Sequence, residues 1–521
     1  MTKKTYTVFI SLIVALGGFL LGFDSAVISG ATPFYRETFG LNSGSMLIGF
    51  SVSSLILGAI LGNIVAGGLA DRFGRRRVLM FTALLFVVSA VFTAFSFDIV
   101  SFIIARVIGG LGVGMAILIA PMYIAEIAPR KLRGTLVTFN QLNIVLGISV
   151  AYFSNYYFQQ TITDPDFKWR IMLGVEAVPA FLYFVLLFFV PRSPRWLLQK
   201  GFDKEAQSVL VRIHGFDQSV VEHSEISNSL NSESQKEKAR WSDVFSKKMK
   251  TVLIIGFGIA FFQQITGINA IFYYAPMIFE MAGGGKDAAF MQAAILGVTN
   301  VVMTVVAMFL IDRLGRKPLL YIGAAGICIS LAIVGFSFRN AKYTITADSM
   351  ETLMVEVNQM NASDAHIDNI LRLEDIRDNV FGSEVVFFNE VKSAVGVDTY
   401  NSFKEIILKH SITISPLWIL IGLIMFVASF AISMGPVMWA LLSEIFPNKL
   451  RGIAISIMGF WNSIVSFSVA TVFPAQLEFM GSSNTYFIYS LFGFLTLLFV
   501  WRFVPETKGK SLEELEAKLI K

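Results

Sequence analysis

Apolar positions in this chain run in long, nearly unbroken stretches. They lack the helical or strand alternation of a protein with one wet face. A bilayer core about 30 Å thick takes about 20 apolar residues per helix. Read with that window, the sequence predicts twelve spans, at approximately 8–30, 46–69, 78–97, 100–122, 135–158, 171–190, 251–280, 289–311, 318–338, 414–440, 452–473 and 484–503. Two polar intervals are long, 191–250 and 340–410. The first apolar run is too long for a cleaved leader and carries Asp24, so it reads as a span.

Composition agrees. Of 521 residues, 55% are hydrophobic and 15% charged, with a mean hydropathy of +0.66. Soluble domains average about 25% charged, and disordered chains are poor in apolar residues; both classes are excluded. The lone Cys328 and four histidines argue against disulfides and metal clusters, so no metal site is expected. A net charge of +5 does not suggest nucleic-acid binding. No nucleophile–base constellation stands in the spans, so no enzyme and no cofactor are expected.

The remaining charges give an orientation. Basic clusters follow spans 2, 4, 8 and 10: Arg72 with Arg75–Arg77, Arg130 with Lys131 and Arg133, Arg313 with Arg316 and Lys317, and Lys449 with Arg451. Segment 191–250 carries 11 Lys/Arg against 8 Asp/Glu. These connections are expected in the cytoplasm, which places both termini there. Segment 340–410, at −6, is then expected outside, leaving +11 for the rest of the chain.

The sequence also repeats itself. Asp71-Arg-Phe-Gly-Arg-Arg76 returns as Asp312-Arg-Leu-Gly-Arg-Lys317. Glu126-Ile-Ala-Pro-Arg-Lys-Leu-Arg-Gly134 returns as Glu444-Ile-Phe-Pro-Asn-Lys-Leu-Arg-Gly452, and Pro191-Arg-Ser returns loosely as Pro505-Glu-Thr. The Asp-to-Glu spacing is 55 residues in the first copy and 132 in the second, so 77 residues are inserted, coinciding with 340–410. The expected architecture is an all-α membrane protein of twelve helices in two six-helix halves, 1–190 and 251–521, joined by a helical linker, 191–250. Parallel six-span repeats are a transporter signature.

With these repeats stand Gly22-Phe-Asp24, Arg106-Val-Ile-Gly-Gly, Pro191-Arg-Ser-Pro-Arg-Trp196, Gln263-Gln264-x-x-Gly267-x-Asn269, Tyr273-Tyr274 and Pro505-Glu-Thr-Lys-Gly509. In this order they resemble the sugar porter family of the major facilitator superfamily, over the whole chain except 340–410, and within it the bacterial proton–pentose and proton–hexose symporters.

Asp24 lies six residues before the outer end of span 1 and Arg106 six residues into span 4, which puts both roughly 9 Å deep. An unpaired charge there costs at least ~2.5–3.5 kcal/mol, so the two are expected to pair; the adjacency of their helices is what the resemblance implies. Burial raises a carboxyl pKa and an arginine lowers it, so Asp24 is a candidate proton carrier. The resemblance supports this, since proton-coupled members carry Asp here. A permanent structural pair is the alternative. Glu176, also in a span, is expected to be a structural hydrogen-bonding group, with a proton relay as the alternative. Asp71, Arg75, Glu126 and Arg133, and their counterparts Asp312, Arg316, Glu444 and Arg451, are expected to form a cytoplasmic ion-pair network that gates the two halves, as the resemblance implies.

A sugar calls for amides, which donate and accept, and for aromatic platforms. Span 7 supplies Gln263, Gln264 and Asn269, which converge only if the helix breaks near Gly267. The resemblance adds Gln141, Asn300, Trp439, Trp461 and Asn462 to the sugar site and makes Tyr273 and Tyr274 an extracellular gate. Ile148 and Phe460 stand where xylose symporters carry Gln, and Leu21 where they carry Phe; strict xylose specificity is therefore not expected. Arg192 replaces the family's usual Glu. Segment 340–410 contains amphipathic stretches such as Ile367–Phe381, which are compatible with a small folded cap; a disordered loop is the alternative.

The reading is proton-coupled uptake of a hexose or pentose (glucose, galactose or xylose, for example) by a multi-pass, monomeric protein of the bacterial inner membrane, in contact with lipid. The rivals are a proton-independent facilitator and a sugar sensor without net flux.

Overall fold

The computed structural model describes residues 3–41, 45–129, 132–235, 241–359, 363–447, 449–510 and 512–519. The first six spans become α1 (Lys3–Thr38), α2 (Met46–Phe73), α3 (Arg75–Ala94), α4 (Ile99–Ile127), α5 (Arg133–Thr161) and the pair α6 (Pro165–Gly174) and α7 (Ala177–Leu186). The linker folds as α8 (Pro194–Gln199), α9 (Asp203–His214), α10 (Phe216–Gln235) and α11 (Trp241–Val244). Then come α12 (Lys250–Ile265), α13 (Ile268–Met281), α14 (Lys286–Leu314) and α15 (Arg316–Arg339). The second polar interval follows as β1 (Lys342–Tyr343), α16 (Ala347–Gln359), α17 (Asp364–Leu371), α18 (Glu384–Val395), α19 (Val397–Ser411) and β2 (Ile412–Thr413). The chain ends with α20 (Pro416–Ile432), α21 (Met434–Ile445), α22 (Arg451–Phe503) and α23 (Leu512–Leu519).

Ten of the described helical stretches are long and apolar enough to cross a membrane. One of them, α22, is two spans joined at Gly481, whose φ of 76° interrupts the helix, and α5 supplies the remaining crossing. This is the twelve-helix architecture expected from the apolar windows. The breaks within spans have local causes. Pro179 and Pro436 lack the N–H that would bond the carbonyls four residues earlier, and the helices divide at 175–176 and at Ser433. Gly74 and Gly315 occupy the same place in the two Asp-Arg-x-Gly-Arg motifs and have φ of 87° and 95°. At both, a conformation that glycine adopts freely ends one helix and starts the next.

Two compact units result. The first comprises Met1–Ala31, Ser53–Ser154 and Asp166–Ser246. Its core joins Phe86, Tyr123 and Tyr183 of the spans with Trp196, Leu197 and Val209 of the linker helices. Between α2 and α4 the backbones touch: a Cβ on Gly110 would stand 2.7 Å from the Gly58 Cα. Small residues permit this close crossing, where dispersion replaces the hydrophobic effect that lipid cannot supply.

The second unit comprises Thr32–Val52, Asn155–Pro165 and Lys247–Lys521. Within it the second polar interval is folded. β1 and β2 pair antiparallel, Lys342 opposite Thr413 and Tyr343 opposite Ile412, and close its neck. Above the neck, sixteen buried residues, among them Leu353, Ile370, Phe387, Val391 and Ile407, form a separate core. Burying a side chain of this kind is worth ~1.5–3 kcal/mol, which is why this segment takes fixed structure. Lys404 pairs with Glu478 at 2.5 Å, and the Ser482 N–H donates to Glu384 at 2.9 Å, fastening the cap to the α22 bend.

Gly110→Leu is expected to destabilise the protein by about 1–3 kcal/mol through overpacking. Gly67→Leu, where a Cβ would meet nothing within 4 Å, is expected to be neutral. Thermal unfolding of the two purified variants in detergent checks this.

Candidate functional site

Three groupings emerge. The first is an amide cluster in the second unit. Gly267, with φ of 90°, breaks the seventh span between α12 and α13, and this break turns Asn269 back toward α12. The Asn269 Nδ2 donates to the Gln264 Oε1 at 3.0 Å and to the Ser466 hydroxyl at 2.6 Å. The Gln264 Nε2 donates to the Asn462 Oδ1 at 3.0 Å, and the Asn462 Nδ2 donates to the Gln263 Oε1 at 2.8 Å. The Gln263 Nε2 donates to the Met434 carbonyl at 2.9 Å, next to the break in the tenth span. Buried amides must find partners; here they satisfy one another, with donors and acceptors that a ligand of the same chemistry can exchange.

Asn300 lies buried on α14. Trp439 on α21 is 40% exposed. The Trp461 ring packs against Phe257 and Phe261, and its buried indole N–H has no hydrogen-bond partner among the described residues. Tyr274 is fully buried and donates to the Ala470 carbonyl at 3.0 Å; Tyr273 is 7% exposed on the same half-helix. Gln141 belongs to the first unit, on α5, with its side chain exposed. Ser466 is a member that the sequence reading did not include. It stands four residues beyond Asn462, on the same helix face, and that spacing was the available signal.

The second grouping is ionic and lies in the first unit. Arg106 and Asp24 are 2% and 1% exposed. The Arg106 guanidinium donates to the Asp24 Oδ1 and, at 3.2 Å, to the Asp24 carbonyl. The pairing expected from depth is present, but the depth needs correction. α1 continues to Thr38, so Asp24 stands 14 residues from the helix end rather than six. The apolar window stopped at residue 30, whereas the helix itself runs on. Glu176, buried at the break between α6 and α7, is a direct electrostatic neighbour of both Asp24 and Arg106. Asp24 Oδ2, Arg106 Nε and Glu176 Oε1 are buried, and among the described residues none of these three atoms meets the geometry of a hydrogen bond. Gly109 gives the pair room, since a Cβ there would stand 3.1 Å from Asp24 Oδ2.

The third grouping occurs once in each unit, where the Asp-Arg-x-Gly-Arg motif meets the glutamate of the second repeated motif. Arg75 bonds Glu126 at 3.0 Å and Asp71 at 3.2 Å, while the Ser193 hydroxyl donates to the second Glu126 oxygen. In the other unit Arg316 bonds Glu444 at 2.8 Å and Asp312 at 3.5 Å, and the Thr507 hydroxyl donates to Glu444 at 2.5 Å. The clamp is thus repeated, and its hydroxyl comes from the loose Pro-x-Ser/Thr repeat. Arg451 donates to the Phe446 carbonyl at 3.3 Å, and no carboxylate bonds it among the described residues. The Arg133 side chain lies outside the described residues.

The two clamps differ at one place. Glu506 accepts from the backbone N–H of Arg316, Lys317, Thr507 and Lys508, at 2.8–3.2 Å, and so caps α15. Partial burial pushes its carboxyl up, but these bonds outweigh burial and hold it below the ordinary glutamate value. In the first unit the corresponding Arg192 has no carboxylate to accept such bonds and instead pairs with Glu205 at 3.3 Å. A depressed carboxyl stabilises the fold above its unfolded pKa and loses that effect as pH falls through the folded one. Glu506→Gln is therefore expected to lower the melting temperature at pH 7, with the gap to wild type closing below the ordinary glutamate value of 4.5. Melting curves from pH 7 to pH 3.5 check this.

A family model described as "Sugar (and other) transporter" matches residues 10–356 and 406–519. The unmatched stretch, 357–405, falls inside the cap. The chain is 35% identical to the arabinose-proton symporter of Bacillus subtilis (strain 168), over 99% of this chain and 96% of that protein. It is 34% identical to the D-xylose-proton symporter of Escherichia coli (strain K12), over 99% and 96%. Its fold is similar to an inward open structure of the Escherichia coli xylose transporter XylE, with a TM-score of 0.74 and 33% identity, over 98% of this chain and 99% of that one.

Proposed function

The chain belongs to the sugar porter family of the major facilitator superfamily, and from that premise we propose that it takes up a monosaccharide together with a proton by alternating access. The observation that carries the proton is the buried group of Asp24, Arg106 and Glu176. Two acids and one base in a low-dielectric site are neutral when they share one proton. A second proton, added to Asp24, leaves Arg106 without a counter-ion, and an uncompensated buried charge is costly. The doubly protonated group is therefore stable only if the helices move to rehydrate or re-pair Arg106, and this ties proton uptake to the conformational step. Glu176 serves to set the charge balance.

The sugar occupies the amide cluster. Its hydroxyls replace the mutual bonds of Gln263, Gln264, Asn269 and Asn462, and Ser466 joins this set. Asn300, Trp439, Trp461 and, from the first half, Gln141 complete the site on family resemblance. Tyr273 and Tyr274, on the half-helix beyond Gly267, close it from outside. The relatives carry arabinose and xylose, and Phe460 and Ile148 remove two amides found in xylose symporters; the substrate class is pentose or hexose. The basic span connections support a cytoplasmic linker, cytoplasmic termini and an external cap. The Glu126 and Glu444 clamps then belong to the cytoplasmic gate.

Asp24→Asn is expected to abolish pH-driven sugar accumulation in proteoliposomes while counterflow of labelled sugar persists; accumulation at the wild-type level removes Asp24 as the carrier. Glu176→Gln, which keeps the group neutral, is expected to retain accumulation. Asn462→Leu strips partners from Gln263 and Gln264 and is expected to weaken sugar binding by at least about fivefold, since a lost buried hydrogen bond costs about 1–3 kcal/mol. Sugar titration of intrinsic tryptophan fluorescence checks this.

A further inference from the structure

A cavity of about 440 Å³ opens on the side of the second unit, where α15 ends, α20 begins and the β2 end of the cap forms a roof. Ile333, Phe336 and Trp418 give it an apolar floor; Ser337, Asn340 and Thr413 give it a polar top. The gradient spans Ile333 to Asn340, roughly 10 Å along the helix. The floor continues into the membrane-facing surface. Ile322, Ile329 and Phe336 recur at seven-residue spacing on α15 and are 51%, 55% and 57% exposed. Seven residues return a helix to nearly the same face, so this is one stripe, running roughly 21 Å into the bilayer. Leu417 and Trp418 of α20, 59% and 55% exposed, border its upper end.

Two cations flank the polar top. Arg339 and Lys342, on either side of Asn340 and Ala341, are exposed, and neither forms an ion pair among the described residues. They stand out against the acidic cap that begins there. An apolar stripe that ends in a polar ledge, with two cations at the level of the ledge that have no ion pair among the described residues, matches acyl chain, glycerol ester and phosphate. Guanidinium and ammonium groups bind phosphate through charge-assisted bonds, and a cavity of this size lies within the usual range of small-molecule sites.

We propose that this cavity is a binding site for one glycerophospholipid of the leaflet on the cap side. Its acyl chain lies along Ile322, Ile329 and Phe336, its ester region sits against Ser337 and Thr413, and its phosphate is held by Arg339 and Lys342. The lipid thereby joins the cap neck to the membrane surface of α15 and α20.

Native mass spectrometry of the delipidated full chain, supplied with phosphatidylglycerol, diacylglycerol or inorganic phosphate, tests this. One phosphatidylglycerol is expected to stay bound under activation that strips the rest, with retention at least tenfold above that of diacylglycerol. Arg339→Gln/Lys342→Gln is expected to erase that preference, and Ser337→Trp, which fills the cavity, to erase retention. Sugar counterflow is expected to stay within twofold in both variants, which establishes that they are folded. Retention unaffected by both changes, equal retention of diacylglycerol, or full displacement by inorganic phosphate overturns the proposal.

Discussion

A charge inside a membrane protein persists only with a partner, and the first half of this transporter is built around one such pair. Arg106 and Asp24 are almost completely excluded from solvent and bond through both the carboxylate and the backbone carbonyl. Gly109 opens the space for the carboxylate, and the break before Pro179 delivers Glu176 to the same place. Removing a partner from a buried pair typically costs about 3–5 kcal/mol. An energy of that size is enough to link a proton to a rearrangement of helices.

The two halves divide the chemistry. The ionic group belongs to the first unit and the amide cluster to the second, although both halves descend from one six-span pattern. Their common inheritance survives in the repeated loop motifs, where Arg75 with Glu126 and Arg316 with Glu444 repeat one geometry, down to the hydroxyls of Ser193 and Thr507. The repeat is imperfect at Arg192. There the second half has a glutamate capping a helix through four backbone bonds, and the first half has a cation drawn away to Glu205.

Much of this was legible in the sequence because it rests on short motifs. The amides of span 7 lie within seven residues, and Gly267 announced the break that makes them converge. The Asp71 and Glu126 motifs recur, so the pairing of Asp71 and Glu126 with Arg75, and of Asp312 and Glu444 with Arg316, could be anticipated. The twelve spans followed from apolar length alone. What was hidden depends on contacts distant in sequence or on helix continuation. The approach of Glu176 to Asp24 arises from a proline-induced break, α1 outruns its apolar window by eight residues, and α22 continues to Gly481. The cap was ambiguous because its apolar residues are spread over several short helices; each has an apolar face, but which faces share one core depends on contacts distant in sequence, such as the pairing of β1 with β2.

The central claim is that one proton enters with each sugar through Asp24. The most direct measurement is the proton-to-sugar stoichiometry, taken in proteoliposomes from the membrane potential at which sugar flux reverses under a fixed sugar gradient. One proton per sugar in the wild-type protein, and no dependence on potential in Asp24→Asn, is the result the account predicts. A reversal set by the sugar gradient alone in the wild-type protein, or an unchanged stoichiometry in Asp24→Asn, would contradict it.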